Sequence, residues 1–333
     1  MENPRLSSLS SLDQQQFGIL IEVYRRELQA HCYRMMGGVQ DAEDMVQETF
    51  LRAWRGRSTF EGRATLRAWL YQIATHIYLD TLKKRPRRVV PVTRQAVSQA
   101  AEPIPAAVME PIWLEPYPDD LLMPAHDTPE EHLALRENIT MAFIAALHLL
   151  PPRQRAVLIL RDVLEWSAND VAVLLNTTVT AVKSALHRAR TTLAQYDAAS
   201  EGQPHLDDIA QTQLDAYVQA WETADIDSLL VLLKRDATFS MPPIPSWYRG
   251  QDEIRALTSR TIFSGQAQGR WRLLPTRANH QIAFGLYRQA EIPTVYHGYG
   301  IQVLTYDGPL IADITTFRNP ALMPSFHLPA TLP

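Results

Sequence analysis

Apolar residues recur at intervals of three and four through the first part of the chain, which predicts amphipathic helices. The pattern runs from about residue 13 to 86, where Pro86 and Pro91 end it. Residues 89–130 lose this periodicity and become rich in proline, alanine and acidic residues, so we expect an extended linker there. Helical periodicity then returns from about 131 to 196.

The pattern changes in the last third of the chain. The stretch LDDIAQTQLDAYVQAWETADIDSLLVLL, which begins at Leu206, predicts one long helix. Short segments rich in β-branched and aromatic residues follow it, and HGYGIQVLTYDGPLIADITTF predicts two strands joined at the YDGP turn. We therefore predict a multidomain fold, in which two all-α domains precede a C-terminal α+β domain.

Two short helices joined by a tight turn are predicted between residues 151 and 190. Pro151 and Pro152 suit the first turn of a preceding helix, and Ser167 can cap the next one. Asn176 suits the left-handed residue that ends that helix, and Thr178 can cap the final helix. The final helix carries cationic and small polar residues opposite an apolar stripe of Val179, Val182, Leu186 and Leu193. This helix-turn-helix predicts a DNA-binding unit, and an ordinary surface helix in a bundle is the alternative.

Two further segments carry patterns typical of protein and nucleic-acid contacts. The stretch DAEDMVQETFLRAWR, residues 41–55, has an apolar face and an opposite face that is acidic, amide-bearing and apolar at its edge. In the following TFEGRATLRAWLYQIATHIYLDTLKKRPRR, aromatic residues are interleaved with arginine and lysine. Single-stranded nucleic acids bind such surfaces, because unstacked bases need flat partners and phosphates need cations. Burial in a core is the alternative for any one of these aromatic residues.

The net charge of −4 conceals two blocks of opposite sign. Between residues 51 and 88 ten Lys or Arg oppose two acids, whereas between 110 and 137 eight acids oppose one arginine. This segregation favours a polyanion-binding surface followed by an acidic connector.

Cys32 is the single cysteine, which excludes an internal disulfide and a cysteine-based zinc site and fits a cytoplasmic location. No apolar run is long enough to predict a membrane span.

Three segments carry a family resemblance: DAEDMVQETFLRAW, LRAWLYQIATHIYLDTLKKR and LPPRQRAVLILRDVLEWSANDVAVLLNTTVTAVKSALHRAR. In this order they resemble regions 2 and 4 of bacterial sigma factors, and the short layout resembles the extracytoplasmic-function (ECF) group of the sigma-70 family. The motif WLEPYPDD and the C-terminal part resemble an ECF subgroup with a fused SnoaL-like domain, whose fold is the NTF2-like cone. The resemblance implies sigma region 2 at 13–88, a linker at 89–130, sigma region 4 at 131–200 and the NTF2-like domain at 205–333.

The resemblance also implies roles for individual residues. The residues expected to bind the clamp helices of the polymerase β′ subunit are Asp44, Gln47, Glu48, Leu51 and Trp54. Those expected to contact the −10 promoter element are Arg57, Phe60, Arg63, Arg67, Trp69, Tyr71, His76, Lys83 and Lys84. Those expected to contact the −35 element are Thr180, Lys183, Ser184, His187, Arg188 and Arg190. The linker corresponds to a segment threaded near the RNA exit path.

The function that these roles imply is promoter-specific initiation by core RNA polymerase, bound through the β′ clamp helices and the β flap, without chemistry of the chain's own. We expect no cofactor, metal or membrane contact, and an anti-sigma factor or a small ligand is a further candidate partner. One alternative is a helix-turn-helix regulator whose C-terminal domain senses a small molecule. Another is an NTF2-like isomerase or cyclase, for which the candidate acids and bases are Asp236, His280, Tyr296, His297 and Asp313.

The C-terminal domain is expected to tune promoter use in cis, by packing against the sigma domains or against the linker. Trp113 and Tyr117 lie within the linker, and a passive spacer would not need such apolar residues. We therefore expect the WLEPYPDD motif to dock on another surface of the protein or on a partner.

Overall fold

The computed structural model describes residues 9–60, 62, 64–81, 88–90, 96–108, 113–122, 140–194, 211–290 and 295–333. The chain forms two compact units: the helical unit combines residues 1–88 with 120–198, and the sheet unit combines 89–119 with 199–333. Within the described ranges, no helix is both long and apolar enough to cross a membrane.

The helices described in the first half of the helical unit are α1 (Gln14–Glu22), α2 (Arg25–Met36), α3 (Val39–Gly56) and α4 (Leu66–Thr81). Local sequence sets where they begin and end. Asp13 accepts a hydrogen bond from the backbone N–H of Gln16, whose side chain bonds back to the Asp13 backbone in a capping box. Gly37, which has φ 73°, ends α2 in the left-handed conformation. The predicted helical pattern of this segment is confirmed.

The second half contains α5 (Met141–Leu149), α6 (Pro152–Leu158), a π-helical turn (Ile159–Val163), α7 (Ala168–Leu174) and α8 (Val179–Ala194). The predicted caps are present. Ser167 Oγ accepts a hydrogen bond from the Asp170 N–H at 3.1 Å, and Thr178 Oγ1 accepts one from the Ala181 N–H at 3.1 Å. Asn176, with φ 48°, lies in the turn between α7 and α8. The predicted helix-turn-helix is therefore confirmed.

A buried arginine joins the two halves of the helical unit. Arg155 in α6 is 1 % exposed, and its Nη1 donates to the carbonyl oxygen of Met35, at the end of α2, at 2.6 Å. The Nε atom donates to the carbonyl oxygen of Leu147 at 2.9 Å, and Nη2 donates to those of His148 and Leu150 at 3.2 and 3.4 Å. Burial and the charge of Arg155 lower the pKa of His148, so its imidazole stays neutral beside the guanidinium. The sequence pattern did not predict this contact.

Among the residues described in the sheet unit, the α-helices are α9 (Gln211–Glu222), α10 (Ile226–Val231) and α11 (Gln251–Arg260). Its strands are β1 (Leu233–Ser240), β2 (Trp247–Arg249), β3 (Trp271–Ala278), β4 (Gln281–Gln289), β5 (Tyr296–Asp307), β6 (Leu310–Phe317) and β7 (Thr331–Leu332). They form one sheet in the order β2-β1-β6-β5-β4-β3, with β7 beside β5, and only β1 and β6 pair in parallel among these strands. One face of the sheet packs on the helices, and its core includes Tyr217, Trp221, Phe239, Phe284 and Ile314. The α+β architecture of the C-terminal domain is confirmed.

The prediction of one unbroken helix from Leu206 is wrong. The chain leaves α9 after Glu222, and Ala224 has φ 57°, which a right-handed helix cannot contain. Asp225 then starts α10, because its side chain accepts a hydrogen bond from the Ser228 N–H at 3.0 Å. An aspartate cap thus overrides an apolar periodicity that continues through the break.

The linker lies against the sheet unit, so the expectation that its apolar motif docks on the protein is confirmed. The Ser98 N–H donates to the carbonyl oxygen of Trp247 at 2.9 Å, and the Val108 N–H donates to that of Pro243 at 2.9 Å. Further along, the side chains of the WLEPYPDD motif that are buried are Trp113, Leu114, Pro116, Tyr117 and Pro118. This segment of the linker therefore belongs structurally to the C-terminal domain.

Four residues fasten the end of the motif, and we call them the linker clasp: Tyr117, Asp119, Asn279 and His280. Asn279 and His280, with φ 55° and 54°, form the two-residue turn between β3 and β4. Asn279 Oδ1 accepts a hydrogen bond from the Tyr117 N–H at 2.7 Å, and the Asn279 N–H donates to the Tyr117 carbonyl oxygen at 2.9 Å. The His280 N–H donates to Asp119 Oδ1 at 2.8 Å. A hairpin turn thus binds the linker through both backbone and side-chain atoms.

Candidate functional site

One outward face of α3 gathers the five residues predicted to bind polymerase, and we call it the α3 surface. Asp44, Gln47 and Leu51 are exposed, and Leu51 keeps 49 % of its accessible area despite being apolar. Glu48 Oε1 accepts a hydrogen bond from Arg52 Nε at 2.7 Å, but both side chains are solvent-exposed. Such a pair contributes little, so a protein partner can replace it at small cost.

An open groove of about 390 Å³ runs beside this face, between α1 and α3. From the α3 surface, Gln47, Leu51 and Trp54 line it, and Phe17 and Ile21 line it from α1. The Trp54 ring packs on Phe17, with centroids 5.6 Å apart. The α3 surface thus combines carboxylates with an adjoining apolar groove, which can receive the side chains of a partner helix.

The predicted −10 contacts begin where α3 ends. The guanidinium of Arg57 lies 3.5 Å from the centroid of the Trp54 ring, which places this cation beside the α3 surface. Phe60 and Trp69 pack against each other with centroids 4.9 Å apart, and both rings are half-buried. This pair presents half-buried aromatic area on which an unpaired base can stack.

The remaining predicted −10 residues differ in what surrounds them. Arg67 forms an ion pair with Glu27, with Nη2 and Oε2 2.7 Å apart, although 44 % of its side-chain area stays exposed. His76 is half-buried in α4. Three predicted residues lie outside the described residues: Arg63, Lys83 and Lys84.

Tyr71 is a core residue, so the prediction that it contacts the −10 element is wrong for this structure. Its ring is 1 % exposed and packs between His31 and Trp166, with centroid distances of 4.8 and 5.5 Å. Its hydroxyl donates to Glu27 Oε2 at 3.3 Å. Burial raises the pKa of Tyr71, and the nearby Glu27 carboxylate raises it further. Trp166 belongs to the second half of the helical unit, so Tyr71 helps to join the two halves.

All six predicted −35 residues are exposed on α8. Val182, Leu186 and Ala189 are buried on the opposite side of the helix, as the apolar stripe predicted. Arg190 differs from the others because its Nε and Nη2 donate to both carboxylate oxygens of Asp162, at 2.9 and 2.8 Å. The ion pair leaves 61 % of the Arg190 side-chain area exposed, so its contact with the −35 element stays a prediction.

The candidate acids and bases of the sheet unit do not come together in a catalytic arrangement. Asp236 and His297 are exposed, and the Tyr296 hydroxyl donates to the carbonyl oxygen of Gly269 at 2.7 Å. Asp313 accepts hydrogen bonds from the hydroxyls of Thr238 and Thr315. Residues to hold a metal are also missing from the described parts of the chain, where no three His, Cys, Asp or Glu cluster suitably.

His280 is the candidate base that does face a carboxylate, since its Nδ1 lies 3.5 Å from Asp119 Oδ2. This pair belongs to the linker clasp at the β3–β4 turn. It is therefore occupied in holding the linker, a role that spacing along the sequence could not reveal because the two residues are far apart in the chain.

Comparison with known protein families gives two matches on the helical unit. The model for Sigma-70 region 2 matches residues 20–88, and the model for Sigma-70, region 4 matches residues 140–193. The first match contains the α3 surface and the predicted −10 residues, and the second contains the helix-turn-helix.

Comparison with individual proteins extends the similarity to nearly the whole chain. The ECF RNA polymerase sigma factor SigG of Mycobacterium tuberculosis is 39 % identical over 320 residues, which cover 95 % of this chain and 85 % of that relative. The ECF RNA polymerase sigma factor SigJ of the same organism is 28 % identical over 70 % of this chain and 69 % of its own length. The crystal structure of SigJ matches with a TM-score of 0.58 at 20 % identity, covering 94 % of this chain and 99 % of that one. This last match shows a common fold that includes both units.

Proposed function

The chain belongs to the ECF RNA polymerase sigma factors, and we propose that it binds core polymerase through the α3 surface and promoter DNA through α4 and α8. It is a transcription initiation factor, so the nucleotidyl transfer belongs to the polymerase. We expect it to act in the cytoplasm, without enzymatic activity in the sheet unit. The observation that carries the proposal is the ordered pair of surfaces in the helical unit, acidic–apolar on α3 and cationic on α8.

The α3 surface suits the clamp helices of the β′ subunit, which the family resemblance implies as its partner. Asp44 supplies an exposed carboxylate, and Leu51 supplies exposed apolar area beside the groove that Trp54 lines. A rim of charge around an apolar centre is the arrangement that protein interfaces favour. Arg57 and the Phe60–Trp69 pair adjoin this surface, so a bound polymerase would lie close to the melted −10 strand.

The α8 helix suits the major groove of the −35 element. Lys183 and Arg188 are exposed, and we expect them to neutralise phosphates, while Ser184 and His187 reach base edges. The short turn at Asn176 fixes α8 against α7, so its exposed face is presented as a rigid unit. Arg190 forms an exposed ion pair with Asp162, which a DNA phosphate can replace at small cost.

We further propose that the sheet unit tunes promoter use by holding the linker. The linker connects α4 to α5, and therefore connects the −10 surface to the −35 surface along the chain. The clasp and the buried Trp113 fix its middle on the sheet unit. A sigma factor whose linker threads along the polymerase must release these contacts, so docking of the linker competes with formation of the open complex.

Transcription initiation with purified core polymerase and a pool of promoter fragments tests the two surfaces separately. Asp44→Lys and Glu48→Lys should abolish co-purification with polymerase, whereas Lys183→Ala and Arg188→Ala should keep it and weaken −35-dependent initiation. Asp252→Lys is the matched charge control on the sheet unit, and Arg153→Ala is the control for the loss of an exposed cation near the helix-turn-helix. If all four test variants kept both properties, the assignment of surfaces would be wrong.

Removal of residues 205–333 tests the role of the sheet unit. Output from the promoter pool should change in a promoter-dependent way, because the linker loses the surface that holds it. Identical output on every promoter would contradict tuning in cis, while leaving the assignment as a sigma factor intact.

A further inference from the structure

A row of aromatic rings lies on the helix-facing side of the sheet unit. The Phe263 and Trp221 ring centroids are 5.4 Å apart, those of Trp221 and Trp271 are 6.0 Å apart, and those of Trp271 and Tyr299 are 5.1 Å apart. Trp271 Nε1 donates to the carbonyl oxygen of Ile262 at 3.2 Å, which fixes the orientation of the indole. Phe263 and Tyr299, at the two ends of the row, are half-buried, so each end is partly open to solvent.

A β-bulge places Tyr299 in this row. The pairing of β4 with β5 shifts register between Leu286 and Tyr287, which pair with Gly300 and Gly298, so Tyr299 is the extra residue. A Cβ atom on Gly300 would lie 2.0 Å from the carbonyl oxygen of Phe317, so only glycine allows β6 to approach this closely. The bulge thus places Tyr299 next to Arg318, the first residue after β6.

Two arginines flank the row. The Arg318 guanidinium lies 5.1 Å from the centroid of the Tyr299 ring, and that of Arg288 lies 5.9 Å from the centroid of the Trp271 ring. Among the described residues neither forms an ion pair, whereas Arg272 nearby is paired with Glu222 at 3.0 Å. The Arg318 Nε atom is buried, and no described residue accepts a hydrogen bond from it. Two positive charges and one buried donor therefore lie against aromatic rings, and none of the described acidic residues forms an ion pair with either arginine.

We propose that Arg288, Arg318, Trp271 and Tyr299 form a binding site for a small organic anion with a flat apolar body, such as an aromatic carboxylate. A planar body can stack on the fixed rings, and a carboxylate can accept paired N–H bonds from a guanidinium. An unpaired buried N–H is costly, so a ligand that accepts a hydrogen bond from Arg318 Nε gains that energy on binding.

The titration of Tyr299 fits such a site. Burial raises the pKa of its phenol, and the positive charges of Arg318 and Arg288 oppose this shift. The hydroxyl stays protonated at neutral pH and can donate to a carboxylate. The proposed anion site does not depend on the role of the chain in transcription. A failure to bind the anion would therefore leave the proposed function intact.

Isothermal titration calorimetry of the full chain with 2-naphthoate tests the inference directly. We expect saturable binding with a Kd of about 1 mM or tighter, the weakest affinity that a ligand of this size should show in a formed site. Arg318→Gln and Arg288→Gln should each weaken binding at least about tenfold, because each removes a charge-assisted hydrogen bond. Neutral 2-naphthylmethanol should bind correspondingly more weakly than 2-naphthoate.

The matched control is Arg249→Gln. Arg249 also lies over a tryptophan, 5.1 Å from the Trp247 ring centroid, but outside the aromatic row. This variant should bind 2-naphthoate like the unaltered chain. Arg288 is exposed, so its replacement tests the site even if Arg318→Gln lowers the melting temperature. Absence of saturable binding, equal binding of the alcohol, or equal loss in Arg249→Gln would each overturn the proposal.

Discussion

Replacement of Asn279 with glycine removes a side-chain acceptor of the linker clasp. Asn279 is buried and has φ 55°, a conformation that glycine adopts without strain. The turn between β3 and β4 should therefore persist, and the backbone bond from the Asn279 N–H to Tyr117 should persist with it. What disappears is the side-chain oxygen that accepts the Tyr117 N–H at 2.7 Å.

The magnitude follows from what the Tyr117 amide loses. A typical hydrogen bond contributes about 0.5–1.5 kcal/mol, and a buried donor left without an acceptor costs about 1–3 kcal/mol. Tyr117 is fully buried, so the larger figure applies unless the linker moves away from the sheet. We expect the free energy of linker opening to fall by about 1.5–3 kcal/mol, which corresponds to a roughly 10- to 100-fold change in the opening equilibrium.

Amide hydrogen exchange measures that equilibrium directly, because exchange of the clasp amides requires the linker to open. Peptides covering Leu114 to Asp119 should exchange about 10- to 100-fold faster in Asn279→Gly. Asn319→Gly is the control, since it also removes a side-chain acceptor, from the Ala321 N–H, at a site that does not touch the linker. Unchanged protection in Asn279→Gly, or the same increase in the control, would refute the claim that the clasp holds the linker.

Two predictions concern the helical unit. Arg155→Met should lower the free energy of unfolding by about 2–4 kcal/mol, because the hydrogen bonds to the carbonyl oxygens of Met35 and Leu147 are lost, while relief of charge burial offsets part of the loss. Urea unfolding measures this, with Arg153→Met, which replaces an exposed arginine, as the control. An equal loss of stability in the two variants would contradict the prediction. Burial lowers the pKa of His31 to about 3, so the unfolded chain takes up a proton first as pH falls below 6.5. The free energy of unfolding should then be about 1.4 kcal/mol lower at pH 5.5 than at neutral pH. Unfolding curves of His31→Gln should depend less on pH, and an unchanged pH dependence would refute the role of His31.

Much of the helical unit could be predicted because its signals are local. The helix caps and the left-handed turn could be predicted because the residues that form them act within three or four positions along the chain: Ser167, Asn176 and Thr178. The same holds for the α8 stripe, since helical periodicity alone puts Val182 and Leu186 on one side. The acidic and apolar character of the α3 surface follows for the same reason.

What could not be predicted depends on residues far apart in the chain. Tyr71 lies among aromatic and basic residues typical of nucleic-acid binding, yet Trp166 covers its ring from the other half of the unit. Arg190 belongs to a cationic helix, and its ion pair with Asp162 was not predicted. The described residues 96–99 and 103–108 of the linker lack helix and strand, as its composition predicted, but nothing local to it indicated that the β3–β4 turn would bind it. In each case the decisive partner is supplied by tertiary structure.

The bond from Arg155 to the oxygen of Met35 has a genetic consequence. Its acceptor is a main-chain atom, so any residue at position 35 that keeps the helix end in place offers the same oxygen. Substitutions there cannot compensate for losing the arginine, and the two positions have no reason to covary among relatives. Among relatives, this contact between the two halves of the helical unit would therefore be visible only as a preference for arginine at position 155.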